Sequence, residues 1–139
     1  MLKCCLIVLL AFAAAPAAAQ DMQAGEWEFT STMSSPAFAQ PQTATFRNCV
    51  KKEDAGDPSR WTTQKEQPND CKVTPGRKTA DSYSWTISCP SSKMQGTGLV
   101  KFSGGTSLES DMAMSGEMQG RKFEMRTKMT GKRVGACKS

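Results

Sequence analysis

The sequence predicts an all-β protein, an antiparallel meander of about seven strands that forms a curled sheet or a small open barrel. Three observations favour this fold. Apolar and polar residues alternate with a period of two in most segments after residue 24. Turn signals rich in glycine or proline separate these segments. No long segment shows helical periodicity. A two-sheet β-sandwich is the alternative, because periodicity does not reveal which distant strands pair.

The beginning of the chain is typical of an export signal. Lys3 precedes an apolar run, Pro16 interrupts it, and small residues follow. Ala17 and Ala19 stand in the A-x-A positions of a signal-peptidase site, so we expect residues 1–19 to be removed. The apolar run is shorter than the roughly 20 residues of a membrane-spanning helix. The sequence therefore predicts no transmembrane segment after cleavage and a location outside the cytoplasm.

Residues 20–139 are then expected to form a single exported β domain. Cys4 and Cys5 precede the cleavage site and should leave with the signal. Of 18 basic residues, all but Lys3 remain, against 13 acidic ones, and they are spread evenly along the chain. A nucleic-acid interface would be a clustered basic patch. We therefore expect no nucleic-acid partner, and we expect a monomer.

The chain contains no histidine. This excludes Ser-His-Asp and Cys-His catalysis and every metal site that depends on imidazole. Carboxylates remain, but Glu26 and Glu28 fit a solvated strand face, and Glu53, Asp54 and Asp57 fit a polar loop. The sequence therefore predicts that the protein is not an enzyme and carries no cofactor.

The first strands are expected at residues 25–33 and 43–50. Trp27 and Phe29 alternate with charged residues in the first, and Phe46 lies on the apolar face of the second. Residues 34–42 contain two prolines and should form a loop.

A polar, irregular stretch is expected at residues 51–67. A short helical turn near residues 52–56 would end before Pro58. Trp61 would anchor the stretch on the core.

Residues 71–74 and 82–89 predict the clearest hairpin, because Tyr83, Trp85 and Ile87 all fall on one face. Pairing about a centre near residue 80 sets Cys71 opposite Cys89 on that face. Facing Cβ atoms there lie about 4.5–5.5 Å apart, near the 3.5–4.5 Å that a disulfide needs.

Four cysteines remain after cleavage, and an even number in an exported chain indicates disulfides. No C-x-x-C pair is present, which argues against a thioredoxin-type site or a zinc ribbon. The hairpin register predicts the disulfide Cys71–Cys89, and by exclusion Cys49–Cys137.

The last three strands are expected at residues 98–103, 107–114 and 121–130, with a turn at residues 115–120. Matching of the apolar faces sets the register of the final hairpin. It predicts the pairs Met112 with Met125, Met114 with Phe123, Asp111 with Arg126, and Glu109 with Lys128. The predicted core comprises Trp27, Phe29, Phe46, Tyr83, Trp85, Ile87, Val100, Phe102, Leu108, Met112, Met114, Phe123, Met125 and Met129.

Taken in order, these landmarks resemble one bacterial family, domain of unknown function 3617. The resemblance covers nearly all of residues 20–139 and implies a small exported, periplasmic protein of a Gram-negative bacterium, with no known activity. Some members are lipid-anchored, whereas this chain lacks a cysteine at the cleavage site. The landmarks are Gly25-x-Trp27-Glu28, Cys49 followed by Lys52-Glu53-Asp54-Ala55 and Asp57-Pro58, Trp85-x-x-x-Cys89, Gly96-x-Gly98, a methionine-rich hairpin, and Gly131-Lys132-Arg133-x-Gly135-x-Cys137.

Methionine is the unusual residue, since six of the nine lie between Met94 and Met129. Thioether sulfur is a soft ligand, so Met112, Met114 and Met125 are a candidate Cu(I) site. Methionine also fills gaps in thin cores, which accounts for the same positions without a metal.

Two further functions remain open. A curled sheet could hold a lipid or another apolar small molecule. Alternatively, an exposed strand edge or the polar loop could contact an envelope protein, and this non-enzymatic interaction or structural role is the one we favour.

Overall fold

The computed structural model describes residues 22–56 and 70–138. The predicted signal peptide, Pro58 and Trp61 lie outside the described residues. The described chain forms seven strands, and their number and alternating faces confirm the predicted all-β class. The strands are β1 (Gly25–Ser34), β2 (Gln42–Val50), β3 (Lys72–Lys78), β4 (Ser82–Cys89), β5 (Met94–Ser103), β6 (Ser107–Met118) and β7 (Arg121–Gly135).

Two short helices connect strands within the described ranges. Helix α1 (Lys52–Ala55) follows β2 where the sequence predicts a helical turn, and a 3-10 turn (Pro90–Ser92) joins β4 to β5. Neither helix approaches the length and apolarity that a membrane crossing requires.

All seven strands belong to one antiparallel sheet in the order β2-β1-β7-β6-β5-β4-β3. The sheet does not close into a barrel, and the sandwich alternative is wrong because the strands form one sheet rather than two layers. Six antiparallel steps separate β2 from β3, so these two edge strands run in the same direction. The connection at residues 51–71 therefore leaves β2 at one end of the sheet and enters β3 at the opposite end.

The apolar face of the sheet carries the core. The core occupies the end of the sheet where β1 begins and β7 ends, and Trp27 is fully buried there. The core spans most of the width of the sheet, because β1, β2, β4, β5 and β6 all contribute to one buried cluster. The buried cluster is Met22, Trp27, Phe29, Val50, Ala55, Tyr83, Trp85, Val100, Phe102 and Leu108.

The residues before β1 cover this end of the core. Met22 is buried, and the Trp27 indole N–H donates a hydrogen bond to the Gln23 carbonyl oxygen at 2.9 Å. Arg133 Nε donates to the Ala24 carbonyl oxygen at 2.9 Å. Since Arg133 belongs to β7, the start and the end of the domain are fastened together.

Both predicted disulfides are present. Cys71 bonds to Cys89 at the end of the β3–β4 hairpin, and Cys49 bonds to Cys137. The first links residues 18 apart in sequence and the second links residues 88 apart. The longer bridge therefore holds the end of the chain against the edge strand β2.

The predicted register of the last hairpin is wrong by two residues. Met114, not Met112, stands opposite Met125, and Met112 faces Thr127. The predicted turn at residues 115–120 is replaced by the two residues Gln119 and Gly120, with φ of 53° and 75°. Two consecutive positive φ values are typical of a type I′ turn, whose twist matches that of the strands. The ladder therefore continues to Met118↔Arg121.

The shift by two residues leaves every side chain on its predicted face, because the strand period is two. It changes the charge pairs: Asp111 now stands opposite Lys128, and Glu109 opposite Thr130. Arg126 still reaches Asp111 diagonally, with Nε 2.9 Å from Oδ1.

Phe46 is a second correction. It was expected in the core, and it does lie on the apolar face, stacked on Phe29 with ring centroids 5.4 Å apart. It is nevertheless 47% exposed, because β2 is an edge strand and nothing described packs on its outer side.

Candidate functional site

The part of the apolar face beyond the core is half-buried and rich in methionine. We call it the methionine face and define it by Met33, Met94, Met112, Met114 and Met125, which lie on β1, β5, β6 and β7. Ile87 and Phe123 were also expected in the core, and they too are half-buried. The sequence predicted Met112, Met114, Met125, Ile87 and Phe123 as core residues, and the open end of the sheet leaves them partly accessible instead. Met33 and Met94 were not part of the predicted core.

Two glycines form the floor of the methionine face. A Cβ atom on Gly96 would lie 2.9 Å from Cγ of Met114, and one on Gly116 would lie 2.9 Å from Cγ of Met94. The methionine side chains therefore lie across the sheet, in space that any larger residue would fill. Glycine inside a strand pattern signals such a close approach, and this signal was present in the sequence but not used.

The three residues of the candidate copper site come together on the methionine face. Met114 and Met125 are directly opposite each other on β6 and β7, and Met112 is two residues along β6. Facing Cβ atoms in an antiparallel pair lie about 4.5–5.5 Å apart, so flexible thioethers at these positions can meet. Binding of Cu(I) by these sulfurs stays a prediction.

The opposite, polar face of the sheet carries an open groove. Two cavities of about 880 Å³ and about 750 Å³ are lined chiefly by side chains that alternate away from the core. Thr97, Ala113 and Arg126 line both, so the two cavities adjoin. Met114 and Met125 also line the first cavity. A twisted sheet is saddle-shaped, which gives each face one concave direction.

Two ion pairs lie on the polar face of the described sheet. Asp111 binds Arg126 within the groove, and Glu28 of β1 binds Arg47 of β2 at 2.8 Å. The hydrogen bonds to these carboxylates raise the pKa of both guanidinium groups. Such exposed ion pairs contribute little to stability, because water and salt screen them. The carboxylates of Glu28 and Asp111 are thus bound in ion pairs rather than free for acid–base chemistry.

Asp70 links the start of the β3–β4 hairpin to the 3-10 turn after β4, beside the Cys71–Cys89 bridge. Its carboxylate accepts hydrogen bonds from the backbone N–H and the hydroxyl group of Ser91, in the 3-10 turn. These bonds hold the pKa of Asp70 below its usual range, because they favour the ionised form.

We expect Asp70→Asn to remove part of the acid sensitivity of the protein. A lowered pKa in the folded state means that Asp70 stabilises the fold above about pH 3.9, the ordinary pKa of aspartate, and loses this effect as the pH falls through the folded pKa. Urea unfolding between pH 2 and 6 should show the wild type more stable than the variant at the higher pH, with the difference vanishing at the lower. Asp81→Asn, at an exposed acid bound to Thr79, is the control. A pH-independent difference for Asp70→Asn would contradict the assignment.

The family model described as "Protein of unknown function (DUF3617)" matches residues 22–137. The chain belongs to this family. The match includes both disulfides, the core and the methionine face, and the family description assigns no activity to any of them. The search of curated proteins gives no match.

Proposed function

We propose that this member of the DUF3617 family is a non-catalytic interaction protein of the cell envelope, and that its methionine face binds the apolar surface of a partner protein. The proposal rests on a difference in burial between the two parts of the apolar face, the core and the methionine face. The core part is buried, with Trp27 fully so, whereas all five methionines of the methionine face remain half-buried.

A contiguous, accessible apolar patch on a folded domain is typical of an interaction site. Methionine is suited to such a site because its unbranched, polarisable side chain adapts to irregular surfaces. Phe46, on the same sheet face, and Phe38, in the β1–β2 loop, add exposed aromatic surface. These two side chains are 47% and 42% exposed.

The shape of the surface favours a protein partner over an apolar small molecule. Small apolar ligands occupy concave pockets lined mainly by hydrophobic residues. The groove in this structure lies on the polar face, where Lys101, Glu109 and the Asp111–Arg126 pair line it. The half-buried thioethers of the methionine face are flexible, which suits them to contact with the apolar surface of another protein.

A non-catalytic role is supported by the chemistry of the side chains. The chain has no histidine, and the carboxylates Glu28 and Asp111 are bound to arginines. A periplasmic location is supported by the two disulfides, since such bridges persist in oxidising compartments.

Neighbouring residues of one strand provide a sharp test. Met114 and Ala113 lie next to each other on β6 and point to opposite faces of the sheet. A photo-crosslinking amino acid at position 114 should capture one envelope protein in cells, and the same group at position 113 should not. Adding Met125→Lys should lower the yield at position 114 on the order of tenfold, the loss expected for a truncated or charged interface anchor.

Equal crosslinking from positions 113 and 114, or none from position 114, would refute the proposal. Native mass spectrometry of the protein purified from its own compartment separates the alternative function. A retained lipid or other organic adduct that Met125→Lys abolishes would make the methionine face a small-molecule site instead.

A further inference from the structure

The two edges of the sheet differ in how they are protected. An edge strand exposes unpaired backbone N–H and C=O groups, which can pair with another chain. At the β3 edge, Pro75 lacks an N–H group, and the ladder to β4 is irregular between Pro75 and Lys78. Lys72 and Arg77 add charge along the same short strand. Proline, irregular pairing and lysine are the devices that block edge-to-edge pairing.

The β2 edge has none of these devices. Nine consecutive pairs, from Gly25↔Val50 to Met33↔Gln42, form a regular ladder to β1. Every residue from position 42 to 49 is exposed. The strand contains no proline and one charged residue, Arg47, whose side chain is held by Glu28.

We propose that the protein forms a two-fold symmetric dimer in which β2 of one copy pairs antiparallel with β2 of a second copy. A second copy is favoured over an open chain of copies because the β3 edge is blocked. Head-to-tail addition needs two receptive edges, and this sheet has one. Pairing of β2 with itself is isologous and closes at two subunits.

The sequence of β2 is compatible with this self-pairing. It contains no acidic residue, and only Arg47 could meet a like charge. A register centred on Thr45 sets Arg47 opposite Thr43 of the second copy and Phe46 opposite Ala44. An aromatic ring beside a small residue on one face is a favourable cross-strand arrangement.

The dimer extends the apolar face across the new interface. A two-fold axis perpendicular to the plane of the sheet keeps both apolar faces on the same side. The second copy would cover Phe46, which is now 47% exposed, and would join two methionine faces into one surface. The sequence alone favoured a monomer, and the unprotected edge is the reason to propose otherwise. The inference stands independently of the proposed partner.

Sedimentation velocity from micromolar to millimolar concentration tests the dimer. The wild type should pass from monomer to dimer, and Ala44→Lys should weaken the association on the order of tenfold or more, because an apolar-face charge on an edge strand opposes pairing. Thr74→Lys, on the β3 edge, is the matched control and should change nothing. Met125→Lys should also leave the dimer intact, which separates this interface from the methionine face.

Amide hydrogen exchange of the wild-type protein gives a second readout that needs no variant. Protection of amides in β2 should rise with protein concentration, whereas protection in β3 should not. A monomer over the whole concentration range would overturn the proposal. So would a dimer that Ala44→Lys leaves unchanged, or concentration-dependent protection confined to strands other than β2.

Discussion

Replacing both Cys49 and Cys137 with serine is expected to lower the free energy of unfolding by about 4–5 kcal/mol. The bridge joins residues 88 apart in sequence, so its loss frees most of the unfolded chain. In the chain-entropy description, the cost of closing a loop grows with the logarithm of its length. Because small domains are stable by only ~5–15 kcal/mol, the variant should be close to unfolding at physiological temperature.

Urea denaturation followed by far-UV circular dichroism measures this loss. The control is Cys71→Ser with Cys89→Ser, which opens the bridge between residues 18 apart and is expected to cost about 3 kcal/mol. The critical outcome is which of the two variants loses more free energy of unfolding. A larger loss from the short bridge would show that local geometry, rather than loop length, determines what each disulfide contributes.

Trp27→Ala is expected to lower the free energy of unfolding by about 3–5 kcal/mol, the range for removing a large aromatic side chain from a core. Trp27 is fully buried, and its indole N–H holds the Gln23 carbonyl oxygen. Loss of the ring therefore leaves a cavity and frees the segment that places Met22 over the core.

Phe46→Ala is the matched control for Trp27→Ala. Both residues lie on the apolar face, and the alternation pattern predicted both as core, yet Phe46 is 47% exposed. Its replacement should cost clearly less than that of Trp27 in the same urea titration at low protein concentration, where dimer formation does not contribute. Equal costs would mean that Phe46 is buried in solution and that the edge strand is already covered.

The faces of the strands were predictable because side-chain alternation is a local property. Tyr83, Trp85 and Cys89 fell on one face, and this placement yielded the Cys71–Cys89 disulfide from hairpin register alone. The helical turn after β2 was also a local signal.

Long-range pairing was not predictable in the same way. The ladder between β1 and β7 joins the two ends of the domain, and no pattern within either strand selects the other. The final hairpin was misplaced because alternation is unchanged by a shift of two residues. The turn formed by Gln119 and Gly120 distinguishes the true register, and a positive φ is uncommon for glutamine.

The sequence predicted which residues form the candidate site, but it did not predict that they are accessible at the surface. The apolar positions of β6 and β7 identified Met112, Met114 and Met125, and alternation cannot distinguish a closed core from an accessible surface. That distinction depends on how far the sheet curls. The glycines beneath the aromatic and methionine side chains let these side chains lie close against the sheet: a Cβ on Gly98 would lie 2.2 Å from the Trp85 ring.

The two edge strands of the open sheet, β2 and β3, are consecutive in sequence and are joined by the connection at residues 51–71. Every strand ladder of the described chain lies within residues 22–56, within residues 70–138, or between them through β1 and β7. A protease cut in this connection would therefore leave every strand pairing of the described residues intact, and the Cys49–Cys137 bridge would keep the two fragments covalently joined. Insertions, deletions and replacements should therefore be tolerated in this connection during evolution, because they leave the strand order unchanged. For the same reason, it is the place where new chain termini could be introduced by circular permutation.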